Sequence, residues 1–323
     1  MPLMGDRRVA LLLLLFLSFV LVSLPQIKVV KAESKIYIRT DGTVEGTDKI
    51  RRDGNLYSFT GDINGSITVE KNNIVVDGAG YALEGSGRGI SLTNRTNITV
   101  KNLEISSFQT GIIFVMSNNN TITNCTIIDN GIEHWGEGIY LVLGSSNNII
   151  SYNNITGNYY GIRCFVSPSN IISENCFTKN KAYALLFDSS GITVVHNNIT
   201  DNNIGIVISG VNIVYNNNFM DNIVHAICDP SVHNSTWDNG YSGGGNYWSD
   251  YNGTDANSDG IGDTPYVIYK SNQDNYPLME PVPVIPEFPS WIILPLLLTV
   301  TLVIMVGKQR LPKHQTINKS RSY

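Results

Sequence analysis

A motif that returns about every 22 residues constrains the fold of this chain more than any other feature. Its clearest copies run from Asn148 to Ile155 and from Asn170 to Phe177, with Asn, Ile or Val, Asn, and Ile or Phe at fixed positions. The apolar residue that closes each copy recurs at spacings of 20 to 28 residues, at Leu83, Ile105, Ile127, Ile155, Phe177, Ile199 and Phe219. A fixed period of this length indicates a solenoid, in which each repeat packs on the next.

A second series keeps the same spacing, and its members share a small residue followed by an apolar one. They are Gly89-Ile90, Gly111-Ile112, Gly138-Ile139, Gly161-Ile162, Ala184-Leu185, Gly205-Ile206 and Ala226-Ile227. Short runs of alternating β-branched residues, bounded by Asn and Gly, lie between these landmarks and are typical of strands and turns. The repeats therefore predict an all-β fold, a right-handed parallel β-helix of coils of about 22 residues over residues 33–230.

Asparagine recurs at one corner of the predicted coil. Stacked amides on successive coils can form a ladder there, because Asn tolerates the turn and bonds to its neighbours. The predicted ladder contains Asn153, Asn175, Asn197 and Asn217, with Cys125 in its first position. Cys164 aligns with the core positions Leu141 and Phe187, so both thiols are predicted to be buried rather than reactive.

The two ends of the chain predict export and anchoring. Arg7 and Arg8 precede an apolar run from Val9 to Leu24, which is typical of a signal peptide over residues 1–32; a retained membrane helix is the alternative. Residues 282–290 are a Pro-rich stalk, 291–307 an apolar transmembrane anchor and 308–323 a basic cytoplasmic tail. The Pro-Glu-Phe segment, apolar stretch and basic tail resemble archaeal sorting signals. We therefore expect the β-helix to be held outside the cell.

Charge limits the partners of the exported part. Residues 33–290 carry 13 Lys and Arg against 26 Asp and Glu, a net charge of −13. Nucleic acid is excluded as a partner because its binding depends on neutralising phosphates with basic side chains. Polyanionic glycans are also repelled unless a cation bridges them.

Residues 231–281 are rich in glycine and aromatic side chains and are predicted to cap the last coil. Trp237, Tyr241, Tyr247, Trp248 and Tyr251 would cover its open end, although exposed rings of this kind also stack on sugars. The same segment holds the pattern of a calcium loop, with Gly260 at its tight turn. The predicted Ca²⁺ ligands are Asp255, Asn257, Asp259, Asp263 and the carbonyl of Ile261.

The calcium loop departs from the pattern at one position. Tyr266 stands where a bidentate Glu is expected, so Asp250 or Asp274 would have to complete the coordination. The alternative is an Asx-rich turn that binds no metal.

One repeat is six residues too long, and the excess falls in residues 129–137. Insertions in solenoids become loops on one face, often the binding face. Aligning the landmarks places Glu137, Tyr160 and Tyr183 in one outward column, and Tyr140 and Arg163 in another. The predicted ligand-binding groove for a surface polysaccharide comprises Glu133, His134, Trp135, Glu137, Tyr140, Tyr160, Arg163 and Tyr183.

The repeat motif, the opening stretch from Asn73 to Tyr81 and the Gly-Asn-Tyr-Trp-Ser-Asp-Tyr block at 245–251 resemble the NosD-type, or CASH-type, family of archaeal surface proteins. The likeness covers residues 35–281. The resemblance implies a right-handed β-helix. It also implies either carbohydrate binding or sugar hydrolysis, and the family takes its name from a periplasmic copper-site maturation factor.

Three functions remain open at this point. The one we favour is a non-catalytic, carbohydrate-binding or adhesive surface protein. The second is a glycoside hydrolase, lyase or epimerase, for which Glu133, Glu137 and Asp188 qualify by residue type only. The third is a structural envelope protein or a copper-related accessory protein; His134, His196, His225 and His233 lack the spacing of a copper site.

Overall fold

The structure, a computed structural model, describes residues 33–131, 135–231 and 235–283. These residues form a parallel β-solenoid of about eight coils, as the repeat predicts. No helix occurs among them, and hence none that is long and apolar enough to cross a membrane. The predicted signal peptide (1–32), the anchor (291–307), the basic tail (308–323) and most of the Pro-rich stalk lie outside the described residues.

Each coil contributes one strand to each of three parallel sheets, as Ile98–Lys101, Glu104–Ser106 and Thr110–Val115 do in turn. In sheet 1 a two-stranded antiparallel ribbon, Ile50–Asp53 with Leu56–Phe59, begins the stack. The remaining strands of sheet 1 are Ile74–Asp77, Ile98–Lys101, Thr121–Thr123, Ile149–Ser151, Ile171–Ser173, Thr193–Val195 and Ile213–Tyr215.

Sheets 2 and 3 share the long strand Ile63–Val69. Sheet 2 continues through Ala82–Glu84, Glu104–Ser106, Thr126–Ile128, Asn154–Thr156, Cys176–Thr178, Asn198–Thr200, Asn218–Met220 and Tyr247–Trp248. Sheet 3 begins with Ser34–Ile38, against which Val44–Glu45 lies antiparallel. It continues through Arg88–Thr93, Thr110–Val115, Glu137–Val142, Tyr160–Phe165, Tyr183–Asp188, Ile204–Ile208 and Val224–Cys228.

The core is the stack of inward side chains, one layer per coil. The seven apolar residues from Leu83 to Phe219 are paired strand to strand in one unbroken column, and each is fully buried. The second series pairs in the same way from Ile90 to Ile206. Its last member is wrong by one residue: Ile206 pairs with Ala226, and Ile227 is exposed, because the turn after Phe219 is as short as the turn after Ile199. The rest of the predicted register is confirmed, including across the coil that carries the insertion.

The predicted asparagine ladder is confirmed and is longer than expected. Asn153 donates its backbone N–H and its Nδ2 to Oδ1 of Asn175, each at 3.0 Å, and the pattern repeats coil by coil to Asn246. Cys125 occupies the first position, and its N–H donates to Asn153 at 2.9 Å. A second ladder that the sequence analysis missed runs through Asn130, Asn158, Asn180, Asn202 and Asn222.

Burial also accounts for the thiols. Cys164 is paired with Leu141 and Phe187 and is fully buried, as predicted. Burial raises the pKa of Cys125 to about 12, so this thiol stays protonated. No disulfide links the four cysteines, all of which lie in the described part of the chain.

Aromatic rings continue the core beyond the last coil. Trp248 follows Phe219 in the sheet 2 column and stacks on it, with the ring centroids 4.5 Å apart. Tyr266 belongs to the hairpin formed by Tyr266–Tyr269 and Asn272–Asp274. Its ring stacks on the Trp248 indole, with the centroids 4.2 Å apart. Trp237 is buried beside Trp248, whereas Tyr241 is more than half exposed and lies outside this stack.

Candidate functional site

The outward side chains of sheet 3 bring the predicted groove residues together. Glu137 is paired with Tyr160, Tyr160 with Tyr183, and Tyr140 with Arg163. A Cβ on Gly138 would lie 3.1 Å from Cγ2 of the core residue Ile127, so Gly138 and Ile139 both face the interior. Two inward residues in succession leave Glu137 and Tyr140 facing outward. We call this surface the sheet 3 patch: Trp135, Glu137, Tyr140, Tyr159, Tyr160, Arg163, Phe165, Tyr183 and Asp188.

Four aromatic rings of the patch are in contact. Tyr160 and Tyr183 stack with centroids 5.3 Å apart and planes 10° from parallel. Tyr159 meets Tyr160 edge-on at 4.8 Å, and Trp135 lies parallel to Tyr159 at 6.2 Å. Trp135 is 74% exposed, so its ring is open to solvent. Sequence reasoning missed Tyr159, although its position next to Tyr160 and opposite the insertion was a usable signal.

Arg163 is the centre of the patch. Its Nη1 lies 3.6 Å from Oε1 of Glu137, and its Nη2 lies 3.7 Å from Oδ2 of Asp188. The guanidinium carbon is 5.4 Å from the centroid of the Tyr140 ring and about as far from those of Tyr160 and Phe165. The Nε of Arg163 is buried without a hydrogen-bond partner. Carboxylates and ring faces thus surround the one cation of the patch.

Glu137 is the more buried of the two carboxyl groups in the patch. It is only 6% exposed and accepts a hydrogen bond from the Thr110 hydroxyl at 3.0 Å. Burial raises the pKa of Glu137, against the opposing effects of Thr110 and Arg163. Burial therefore favours the protonated form of this carboxyl group, which is the form that a general acid needs.

Two predicted groove residues, Glu133 and His134, lie outside the described part of the chain. Trp135, which directly follows them, lies beside Tyr159. The loop is therefore attached at the edge of the sheet 3 patch.

The predicted calcium loop is closed by its own hydrogen bonds. Asp255 accepts the N–H groups of Asp259 and Gly260 at 3.2 and 2.9 Å. Asp263 accepts the N–H of Ala256 at 2.9 Å, and Asn257 donates to Asp259. Within the described ranges no three His, Cys, Asp or Glu side chains are arranged to hold a metal. Calcium binding stays a prediction.

The two aspartates considered as replacement ligands are engaged elsewhere. Asp274 is fully buried and accepts hydrogen bonds from the N–H of Asn246 and from Trp248 Nε1, at 2.6 and 2.9 Å. Asp250 contacts His225 and Tyr266.

A second cluster lies in a cleft of about 520 Å³ between the last strand of sheet 3 and the C-terminal hairpin. Nε2 of the buried His225 lies 3.3 Å from Oδ1 of Asp250 and from Oγ of Ser249. Tyr266 donates to the second oxygen of Asp250 at 3.2 Å. Sequence reasoning missed this cluster because His225 and Asp250 share no motif and belong to different elements.

The second asparagine ladder fixes the tautomer of His225. Oδ1 of Asn222 accepts from Asn202, so Nδ2 of Asn222 is the group that faces Nδ1 of His225 at 3.3 Å. Nδ1 is therefore an acceptor, and the proton of the neutral ring lies on Nε2, toward Asp250. Burial lowers the pKa of His225, which favours this neutral form, while Asp250 and Asp221 oppose the shift.

These side chains do not suit a copper centre. Copper sites combine imidazole, thiolate and thioether ligands that converge on one point. Cys164 and Cys228 both lie in sheet 3 but three coils apart, and both are buried in the core with their pKa raised by burial. His225 bonds through both ring nitrogens to protein groups. The described residues therefore provide no copper ligand set.

The stacked coils define this chain as a parallel β-solenoid protein. Residues 41–253 match the family model of the periplasmic copper-binding protein NosD, so the chain belongs to the NosD family. That family's periplasmic description agrees with the export predicted for residues 1–32. No curated protein matches the chain in sequence.

Two solved structures are similar to the chain at low sequence identity. The periplasmic alginate epimerase AlgG is 17% identical, with a TM-score of 0.45 and coverage of 54% of this chain and 46% of that one. Pectate lyase Pel9A is 13% identical, with a TM-score of 0.37 and coverage of 61% and 55%. The chain thus spans about half the length of these proteins.

Proposed function

We propose that this NosD-family protein is a non-catalytic glycan-binding protein displayed outside the cytoplasm, and that the sheet 3 patch is its binding surface. The observation that carries the proposal is the exposed Trp135 ring beside three contacting tyrosines. Aromatic rings bury the apolar faces of sugars, and tyrosine hydroxyls remain free to bond to sugar hydroxyls. The ligand is a surface polysaccharide that runs across neighbouring coils.

The position of Arg163 favours binding over hydrolysis. A glycosidase places its two carboxyl groups about 5 to 10 Å apart, with the scissile bond between them. Glu137 and Asp188 both contact Arg163 from opposite ends of its guanidinium, so a cation and not an open space separates them. This geometry suits Glu137 and Asp188 to orienting Arg163 rather than to cleaving a glycosidic bond.

The raised pKa of Glu137 favours one second candidate, a polysaccharide-modifying enzyme in which this carboxyl group acts as general acid. The two functions are separated by chemistry. A lyase, epimerase or hydrolase would change a polysaccharide on prolonged incubation, and Glu137→Gln would abolish that change. The proposed binding protein leaves the polysaccharide intact, and Glu137→Gln retains binding.

The binding experiment is titration of the purified ectodomain with oligosaccharides, followed by calorimetry. Trp135→Ala and Tyr160→Ala are each expected to weaken binding about tenfold, since a lost stacking contact of about 1.4 kcal/mol corresponds to that factor. Tyr81→Ala is the control, because Tyr81 is an exposed aromatic residue at a corner remote from the patch. Equal affinities for all three variants would contradict the proposal.

The finer features of the fold and location belong to the same proposal. Right-handed coils are supported by the general handedness of parallel β crossovers. Anchoring is supported by the apolar segment 291–307 and the basic tail that follows it. Full-length protein is expected in the membrane fraction after expression, and a chain that ends at residue 290 in the soluble extracytoplasmic fraction.

A further inference from the structure

We propose that the sheet 3 patch selects neutral polysaccharides and discriminates against uronic acid polymers. This inference rests on the proposed function, since it names the class of glycan that the same surface takes. It is carried by the contacts of Arg163 and by the charge of the whole ectodomain.

A surface that binds uronates must offer a cation to each carboxylate, because an ionised group that loses water without a partner is strongly disfavoured. Arg163 is the only basic residue of the patch, and its two terminal nitrogens are directed at Glu137 and Asp188. Its guanidinium carbon lies 5.4 to 6.0 Å from the ring centroids of Tyr140, Tyr160 and Phe165. The positive charge of Arg163 is thus already balanced by two carboxylates of the protein.

The net charge of the patch follows from these three ionisable groups. Glu137, Asp188 and Arg163 together give −1 when Glu137 is ionised and zero when it is protonated. In neither state is the patch positive. A uronate residue placed over Tyr160 would meet Arg163 together with Asp188, whose side chains are 29% and 34% exposed, and so would find no surplus positive charge.

Basic side chains do occur at the margins of this surface. Arg88 is paired with Thr110 in the same outward column, and Lys181 lies at the turn before Tyr183. Both are solvent-exposed. Exposed charges of this kind contribute roughly 1 kcal/mol or less to an ion pair, and salt screens them. They do not offset the two carboxyl groups at the centre.

The electrostatic field of the whole ectodomain acts in the same direction. A net charge of −13 over residues 33–290 repels a polyanion before contact, and most strongly at low ionic strength. Neutral sugars are insensitive to this field. The tyrosine hydroxyls and the Trp135 ring can bind them without any charge being desolvated.

The test compares oligosaccharide pairs that differ only at C6, where a hydroxymethyl group in one member is a carboxylate in the other. Mannan and mannuronate hexamers, galactan and galacturonate hexamers, and glucan and glucuronate hexamers are titrated against the ectodomain in 20 mM salt without divalent cations. We expect at least tenfold tighter binding of the neutral member in whichever pair binds. The ratio should fall as salt is raised to 0.5 M.

A single substitution tests the role assigned to Arg163. Asp188→Asn frees one end of the guanidinium and should raise the affinity for the uronate member at least threefold relative to the affinity for the neutral member. Asp201→Asn is the matched control, because it makes the same change in net charge at an exposed turn beside sheet 2. An equal gain in both variants would assign the effect to overall charge and would contradict the local mechanism.

The outcomes separate this inference from the proposed function. Uronate binding that equals or exceeds neutral binding, and that is weakened by Trp135→Ala, contradicts the selectivity but keeps the patch as a glycan site. Binding of neither member of any pair, or binding indifferent to Trp135→Ala and Tyr160→Ala, contradicts both. Neutral selectivity with a gain in Asp188→Asn alone supports both.

Discussion

Single residues inside the solenoid are held by hydrogen bonds that reach from one coil to the next. Asn175 accepts from the N–H of Asn153 and donates to the carbonyl of Ile150 at 2.8 Å. Asn175→Ala would leave both backbone groups buried without partners, so we expect a loss of about 2 to 4 kcal/mol in the free energy of unfolding. Chemical denaturation measures it. Asn154→Ala, at the exposed position next to Asn153, should cost less than about 0.5 kcal/mol. Similar losses in both variants would refute a special role for the ladder.

Asp274 ends the first ladder with a carboxyl group in place of an amide. Burial raises its pKa to about 6, against 3.8 for the free group. The folded chain therefore binds this proton more tightly than the unfolded chain, so the contribution of Asp274 to stability is complete below about pH 4 and is lost as the pH rises through 6. The full shift corresponds to about 3 kcal/mol.

The pH dependence of Asp274 is measured by comparing wild type with Asp274→Asn at pH 4.5 and 7.5. The free energy of unfolding of the wild type should fall more, between these two values, than that of the variant. Asp201→Asn controls for the other carboxylates. An unchanged difference between wild type and Asp274→Asn at the two pH values would show that Asp274 is ionised throughout.

At the scale of structural elements, the aromatic stack that closes the last coil is the part most sensitive to substitution. Trp248→Ala removes ring contacts to Phe219 and Tyr266 and a hydrogen bond to Asp274. We expect a loss of about 3 to 5 kcal/mol. Because a solenoid is stabilised between nearest neighbours, hydrogen exchange should accelerate first in residues 204–228 and least around Leu83. Tyr241→Ala should leave exchange unchanged, and uniform acceleration would contradict local fraying.

The loop from Asp255 to Asp263 belongs to the same cap. If it binds calcium as its spacing predicts, 1 mM Ca²⁺ should raise the Tm of the chelator-treated ectodomain by several degrees through binding to the folded state alone. Asp255→Asn should abolish the shift, because it removes the charge of a predicted Ca²⁺ ligand, and ligand charge sets the affinity of such loops. A Tm that is the same with Ca²⁺ and with chelator would identify the loop as an Asx-rich turn.

At the scale of the whole molecule, the repeat predicts that one complete coil can be deleted without loss of the fold. Deletion of residues 171–192 joins Asn170 to Thr193, which occupies the position that Ile171 held, and brings Asn153 over Asn197. We expect a shorter solenoid with the same circular dichroism spectrum and a moderately lower Tm. Deletion of residues 171–181 puts inward side chains out of register and should abolish folding. Equal stability of the two deletions would contradict the stacking described above.

The sequence by itself determined the repeating part of this protein. Leu83 to Phe219 form one column, and Asn153 to Asn217 form one ladder, because each coil meets the same two local demands. Alternation sends every second side chain inward, and a fixed corner requires a residue that bonds to its neighbour above. Both demands recur at one spacing, so counting residues is enough to find them. For the same reason Glu137, Tyr160 and Tyr183 could be placed in a single column before any coordinates were known.

Only the tertiary structure decided the contacts that do not recur from coil to coil. Arg163 lies between Glu137 and Asp188, His225 reaches Asp250 in the cap, and Asp274 replaces an amide at the end of a ladder. These contacts depend on long side chains that can turn to several partners and on a capping segment that folds once rather than repeatedly. Spacing carries no information about such choices, because packing against the completed stack selects among them.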